Sequence, residues 1–444
     1  MPRLLALVLC TCSVIFLLWL SKQQFPHASA RLWIPTIWLL KVSTKAVSTW
    51  FGSPAASLEE GSALDRNLLI ILMCIAIWML IKLEFVPSRV LQENIWLVIL
   101  VAFMFVSISW SAVHFVSLKR WIREIVAIIV GFLLLTEENP RQAIECVIKR
   151  TVYILIPVSV LLIKYFPEFG VDYVGWTGAT MWIGVTDQKN EFGQLTGFAA
   201  LFLIWGLQRR WRQRHGPAVP FVTLADVILL VTALYLGKGS EAGYSATSIV
   251  MLAIGLAVFS ALLFLKKRGK LVSRKAITVF FIALIVYGTM TPLLGRLPAA
   301  DVSARLGRNS TLTERTHNWA ALVPIALSKP LLGRGVGGFW TSFTMGRYFY
   351  PAHNGYLEII LVLGFVGLLI MSLFLISSAR KARDQMTQDY DWGVLWICWL
   401  AMALVNNIAE SSLNSFGNIL MAVPLWLTII YQRPSQDDKG AIKL

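Results

Sequence analysis

The chain has 444 residues, of which 57% are hydrophobic and only 14% are charged, with a formal net charge of +16. A soluble domain is about 45–50% apolar and about 25% charged, so this composition excludes an ordinary soluble protein. The positive charge does not indicate nucleic-acid binding, because most cations form short clusters between apolar runs, as cytoplasmic loop anchors do. The five cysteines match no metal-site spacing and no disulfide framework.

The first apolar run, Leu4 to Leu20, follows Arg3 and precedes Ala28-Ser29-Ala30, which resembles a signal-peptidase site. The run is longer than the apolar part of a usual signal peptide, so we predict a retained first membrane helix. Segment 31–51 mixes lysine, proline and tryptophan, a pattern typical of a helix lying in the membrane interface, although a full crossing stays open.

Further apolar runs of about 20 residues, enough to cross the hydrocarbon core of a bilayer, recur to the end of the chain. Three basic clusters lie between them, and the positive-inside rule places all three in the cytoplasm. They are 209–214, 266–275 and 380–383. We therefore predict an all-α polytopic membrane protein. It has a single membrane domain over 1–444, about twelve spanning helices and a cytoplasmic tail over 433–444.

The same topology turns segment 295–352 outward, although that segment is rich in positive charge. Its cations are Arg296, Arg305, Arg308, Arg315, Lys329, Arg334 and Arg347, opposed by Asp301 and Glu314. Lys189 and Lys238 face outward as well. Contact with anionic lipid headgroups would explain these charges. A site for a phosphorylated ligand would explain them too, because arginine donates two parallel hydrogen bonds to phosphate.

His353 lies in Pro351-Ala352-His353-Asn354-Gly355, immediately before a long apolar run that predicts a helix entering the membrane. An imidazole beside an anion site could act as a general base. A histidine that caps its helix or contacts headgroups is the alternative. Two further polar groups lie at the outer ends of spans, 187–191 and the set Asn406, Asn407, Glu410 and Asn414. They could be functional or could only join helices.

The other motifs do not predict a cofactor site or a metal site. The glycine-rich stretches 330–338 and 237–240 lack the context of a nucleotide-binding loop and predict tight turns near the membrane surface. Asp389-Tyr390-Asp391 could hold a metal in a glycosyltransferase, but it falls on the cytoplasmic side and is interpreted as a chance match. No outward group of His, Asp or Glu has metal-ligand spacing.

Several of these motifs together resemble the bacterial O-antigen ligase and O-antigen polymerase superfamily. They follow the order of that family: Leu312-Thr313-Glu314-Arg315-Thr316-His317-Asn318-Trp319, Pro330-Leu331-Leu332-Gly333, Phe339-Trp340, His353-Asn354-Gly355-Tyr356-Leu357 and Leu363-Gly364-Phe365-Val366-Gly367. Upstream, Lys189-Asn190 followed by Gly193 also resembles the family. Two differences stand out: Glu314 replaces the usual glycine, and Lys238 stands near the place of a second arginine.

The resemblance implies a C-type glycosyltransferase fold with a periplasmic catalytic loop over 295–352, in the bacterial inner membrane. It implies a polyprenyl-diphosphate-linked glycan donor, a glycan or lipid acceptor, and transfer without a metal. The catalytic candidates are Arg315, on the diphosphate, and His353, as general base for the acceptor hydroxyl. The substrate-binding candidates are Arg305, Arg308, Arg334, Lys238, Lys189, Asn190 and Asn354.

A transporter or flippase for a lipid-linked anionic glycan is the alternative. It would need the cations but no base, and it should show an internal repeat with broken helices in both halves, which the sequence does not reveal. Ligases, polymerases and protein-glycosylating enzymes share the family motifs. The sequence therefore leaves open which of these activities the chain has, and which sugar and acceptor it uses. Its expected partners are these glycans and membrane lipids, with no nucleic acid.

Overall fold

The fold is taken from a computed structural model, which describes residues 1–52, 61–173, 178–213, 219–241, 243–295, 315–348 and 351–431. Arg305, Arg308, the rest of the basic stretch 296–314 and the predicted tail over 433–444 lie outside the described residues.

The apolar runs fold as helices, because in hydrocarbon every backbone polar group must be satisfied within the chain. The helices of the first half are α1 Arg3–Gln24, α2 Trp33–Val42, α3 Val47–Trp50, α4 Ala63–Lys82, α5 Ser88–Glu93, α6 Ile95–Val106, α7 His114–Phe132, α8 Pro140–Tyr165, α9 Pro167–Gly170 and α10 Lys189–Gln213. Those of the second half are α11 Val219–Lys238, α12 Ala246–Lys267, α13 Arg274–Leu293, α14 Arg315–Leu327, α15 Ser342–Met345, α16 Gly355–Gln388, α17 Tyr390–Asn406 and α18 Ile419–Ile430.

Within the described residues, seven helices are long and apolar enough to cross a membrane: α1, α4, α8, α11, α12, α13 and α16. A helical polytopic membrane protein is therefore confirmed. The count of about twelve stays a prediction, because it requires that the shorter apolar helices α6, α17 and α18 cross as well. It also requires crossing by α7 and α10, which have 19 and 25 residues but carry more charge.

Segment 31–51 forms the two short helices α2 and α3, of 10 and 4 residues, which are too short to span a bilayer. The α2 helix packs onto the bundle through Trp38, which is 1% exposed and whose ring centroid lies 5.2 Å from that of Trp426. The segment is therefore part of the packed structure and does not form a single continuous span.

A small antiparallel hairpin departs from the all-helical expectation. It pairs β1 Val171–Tyr173 with β2 Thr180–Trp182, between α9 and α10. Lys45 fixes this region to the α2–α3 connection by donating from Nζ to the Phe169 carbonyl oxygen at 2.7 Å. Burial lowers the pKa of this lysine. Strands of three residues give too short a pattern to be recognised from sequence.

The α16 helix is broken at Gly364, where the backbone adopts φ 69° and ψ −170°. The Pro330–Gly333 turn fills the break: the Phe365 N–H donates to the Pro330 carbonyl at 2.7 Å, and the Arg334 N–H donates to the Leu361 carbonyl at 3.1 Å. Gly364 is nine residues into α16, about 13 Å along its axis. The turn thus lies deeper than the surface position expected from sequence, and part of segment 295–352 packs alongside α16.

Candidate active site

Three of the candidate residues meet at one carboxylate, that of Glu410. Its Oε1 accepts hydrogen bonds from Arg315 Nη2 at 2.5 Å and from Asn190 Nδ2 at 2.7 Å. Its Oε2 lies 3.4 Å from His353 Nδ1. The Glu410 side chain is only 6% exposed, and those of Arg315 and His353 are 11% and 25% exposed. The two catalytic candidates, 38 residues apart in the chain, are thus joined through a third ionisable group.

The N-termini of α10 and α16 lie at this cluster, together with the beginning of the described part of α14. Asn190 is the second residue of α10, and His353 stands two residues before Gly355, the first residue of α16. Arg315 is the first described residue of α14. The N-terminus of a helix carries partial positive charge from its aligned peptide dipoles, so an anion is favoured there. Together with Arg315, these helix ends form a site suited to an anionic ligand.

His353 occupies the left-handed region of the backbone, with φ 51°, which is uncommon for a residue with a side chain. The next residue, Asn354, holds this conformation. Its Oδ1 caps α16 by accepting from the Leu357 N–H at 2.8 Å, and its Nδ2 donates to the carbonyls of Gly288 and Ile408 at 3.1 and 3.0 Å. The Asn354 side chain is fully buried. Its geometry therefore favours positioning of His353 over direct contact with substrate.

The turn that carries Glu410 is fixed by Asn407. Its Oδ1 accepts from the N–H groups of Ser412 and Leu413 at 2.7 and 2.9 Å, and its backbone carbonyl accepts from the Gly355 N–H at 2.9 Å. A Cβ at Gly355 would collide with the Asn407 side chain. The glycine of the His-Asn-Gly motif is thus required for the close approach of α16 to the turn after α17.

The Phe339-Trp340 motif lies at the start of the segment that leads to His353. The indole N–H of Trp340 donates to Glu358 Oε1, and the Ala352 N–H donates to Glu358 Oε2 at 3.2 Å. Glu358 lies on the first turn of α16 and is 1% exposed. It ties both ends of segment 340–352 to the helix that follows His353.

The remaining candidates lie at different places. Lys189 opens α10 next to Asn190, and Lys238 ends α11 with its side chain exposed. Arg334 lies beside the break in α16, where its Nη2 donates to Ser328 Oγ at 3.0 Å and its guanidinium stands 5.9 Å from the Phe339 ring. The contacts described for the Glu410 cluster do not include Arg334. Arg305 and Arg308 fall outside the described residues.

Sequence reasoning noted Glu410 only as part of a polar group at the end of a span. Its partners lie 57, 95 and 220 residues away in the chain, so no local pattern connects them. The available indication was a carboxylate between two apolar runs, which is costly unless it is paired. Among the described residues, no group of three or more His, Cys, Asp or Glu is placed to hold a metal ion.

The helices and the buried cluster together define an integral membrane protein with a polar site at the ends of several helices. The family model described as O-Antigen ligase matches residues 239–372, a range that contains Arg315 and His353 and ends before Glu410. The exopolysaccharide production protein ExoQ of Rhizobium meliloti (strain 1021) is 24% identical over 319 residues, which cover 67% of each chain. Both comparisons confirm the resemblance to the O-antigen ligase and polymerase superfamily.

Proposed function

We propose that the protein transfers a glycan from a polyprenyl-diphosphate carrier to an acceptor hydroxyl on the periplasmic face of the bacterial inner membrane. It would act there as an O-antigen ligase or a surface-polysaccharide polymerase. The family likeness supports glycan transfer of this type. The observation that carries the mechanism is the Glu410 carboxylate, which contacts both Arg315 and His353.

His353 acts as the general base. With its proton on Nδ1, the imidazole donates to Glu410 Oε2, and Nε2 is left to accept the proton of the acceptor hydroxyl. As that oxygen attacks the anomeric carbon, the bond from this carbon to the diphosphate oxygen breaks and its electron pair leaves with the diphosphate. The Glu410 carboxylate stabilises the imidazolium that forms. Attack opposite the leaving group inverts the anomeric centre.

Arg315 stabilises the leaving diphosphate. A guanidinium carries five N–H donors in a rigid fork, and Nη2 of Arg315 uses one of them on Glu410. The other donors can hold phosphate oxygens, and the N-termini of α10 and α16 add to the favourable potential. Fixed donors of this kind act most strongly in a site sheltered from water, because they need no reorganisation when charge develops.

A transporter or flippase needs no general base to bind and move a lipid-linked anion, and neither comparison favours that alternative. The described structure also has its non-helical break in α16, in the second half of the chain, whereas a repeat-based transporter breaks helices in both halves.

The test is an assay of the purified protein in nanodiscs with a polyprenyl-diphosphate-linked glycan and candidate acceptors. We expect a new glycosidic bond and released polyprenyl diphosphate. His353→Ala should lower the rate by about 100- to 10,000-fold while donor binding persists. His114→Ala, an exposed histidine that begins α7, is the control and should stay near the wild-type rate. Movement of the lipid-linked glycan across proteoliposomes without bond formation would overturn the proposal.

A further inference from the structure

A large groove lies at the end of the molecule opposite the Glu410 cluster. It has a volume of about 1270 Å³ and runs between α6, the start of α13 and the last third of α16. The two long helices fix its position. Their other ends meet at the candidate active site, where Asn354, which caps α16, donates to the carbonyl of Gly288 near the end of α13. The groove is therefore separate from the proposed glycan-transfer site.

One half of the groove is basic. Its lining includes five cations and two carboxylates: Arg274, Lys275, Arg380, Lys381 and Arg383, with Glu93 and Asp384. Asp384 is already bonded by Arg274 at 2.7 and 2.9 Å and by Arg383 at 3.4 Å. Arg380 donates through Nε to Thr278 Oγ1 at 3.0 Å, which holds its guanidinium across the gap between α16 and α13. The lining keeps an excess of positive charge that complements an anion.

The other half is apolar and open. Ile95, Val279 and Ile282 line it and are 51%, 65% and 43% exposed. Leu373 and Ile376 of α16 complete the wall. Val279 and Ile282 follow Lys275 by four and seven residues on α13, so the apolar surface begins about 6 Å from the basic surface along the helix axis. A ligand that covers both surfaces must be amphiphilic, with an anionic head and a hydrocarbon body.

We propose that this groove binds an anionic glycerophospholipid of the cytoplasmic leaflet. The phosphate lies between Lys275 and Arg380, and an acyl chain lies along Val279, Ile282 and Ile376. Basic pockets between membrane helices on the cytoplasmic side bind such headgroups. The positive-inside rule places clusters 266–275 and 380–383 on that side. The diphosphate of the proposed glycan donor lies at the opposite membrane face, so the carrier lipid is not the expected occupant.

Native mass spectrometry of the purified full-length protein tests this with three probes: phosphatidylglycerol, phosphatidylethanolamine and undecaprenyl phosphate. We expect retention of phosphatidylglycerol above the other two. The double variant Lys275→Gln/Arg380→Gln should weaken the binding of phosphatidylglycerol by about 30-fold. The matched control, Lys267→Gln/Lys270→Gln, removes two exposed charges from the same cytoplasmic cluster outside the groove lining and should change binding less than twofold.

Three outcomes would overturn the proposal: equal loss in the groove and control variants, equal retention of phosphatidylethanolamine, and preferential retention of undecaprenyl phosphate. If the double variant does not accumulate, the single variant Lys275→Gln serves, since that side chain is exposed and its loss leaves the Arg380–Thr278 contact in place. Because the readout is lipid retention, failure of the proposed glycan transfer would leave this test unaffected.

Discussion

At the scale of single residues, the proposed chemistry depends on a carboxylate held at 2.5 Å from a guanidinium and 3.4 Å from an imidazole. A glutamate buried among apolar helices would be costly without these partners. The sequence indicated His353 by its place before a long apolar run, and it indicated both Arg315 and His353 through the motifs that resemble the family. Glu410 could not be assigned in this way, since its role follows only from contacts distant in the chain.

Glu410→Gln should separate the charge of this residue from its hydrogen bonds. The amide can still bond with Asn190 and Arg315, but it cannot stabilise an imidazolium by charge. We expect kcat to fall by about 100-fold or more, with little change in KM for the donor, because a base loses much of its power when its orienting anion is removed. Steady-state kinetics in nanodiscs measures both constants.

The control for that variant is Glu168→Gln, which removes a 45%-exposed carboxylate whose partner is Arg3. It should leave both constants unchanged. Wild-type kcat in Glu410→Gln, with normal folding, would contradict the role of Glu410 as the positioning residue for His353.

Arg315→Lys should lose most of the transfer activity even though the positive charge is kept. An ammonium cannot reproduce the bidentate fork that a phosphate accepts, so donor affinity and rate should both fall, the rate by about 100- to 1000-fold. Arg347→Lys, at an exposed arginine of the same segment, is the matched control and should retain activity. Donor binding and transfer are measured for both variants. If Arg315→Lys matches the control in both, Arg315 does not bind the diphosphate as proposed.

At the scale of elements, two motifs separated by thirty residues turn out to form one structure. The Pro-Leu-Leu-Gly turn satisfies the backbone groups that the break at Gly364 leaves open. The apolar pattern alone predicted an uninterrupted helix there, because an isolated glycine is tolerated in helices. The break is stable only when the turn is present, so a local pattern cannot reveal it. The long helices, by contrast, follow directly from their apolar length.

Gly333→Ala should therefore destabilise the protein. Gly333 has φ 63°, and a Cβ there would collide with the backbone of Gly364. We expect the free energy of unfolding to fall by about 1–3 kcal/mol, because the substitution strains the backbone and displaces the turn. Gly346→Ala, in the same segment, is the control: that residue is outside the left-handed region and its nearest neighbours would be 3.6 Å away. Thermal unfolding in detergent compares the two, and equal midpoints would refute the close packing described.

At the scale of the whole molecule, composition and charge predicted a helical membrane protein but could not fix the number of crossings. The number of crossings depends on helices such as α7 and α10, whose charged residues lower their mean apolarity. Their length satisfies the requirement for a span, and their charges are paired within the bundle, as for Glu124, which accepts from Ser415 Oγ at 2.8 Å. Tertiary pairing of this kind is invisible to a pattern based on apolar length.

The predicted orientation can be tested by single cysteines in a variant whose five native cysteines are replaced. Arg347→Cys should react with a membrane-impermeant maleimide in cells with a permeabilised outer membrane. Lys267→Cys should react only after the inner membrane is opened, because the positive-inside rule places its cluster in the cytoplasm. Both are exposed side chains, so burial does not limit labelling. The reverse pattern would show that the active-site face is cytoplasmic.

The bond between Asn190 and Glu410 joins residues 220 positions apart, and it has a consequence for how the protein is made. Synthesis proceeds from the N-terminus, so the helices that carry Asn190, Arg315 and His353 enter the membrane before Glu410 leaves the ribosome. Until α17 is inserted, the arginine lacks its counter-ion and the histidine lacks its orienting group. A nascent or prematurely terminated chain that lacks Glu410 should therefore contain the two family motifs yet transfer no glycan. Transfer becomes possible only when α17, α18 and the turn between them are in place.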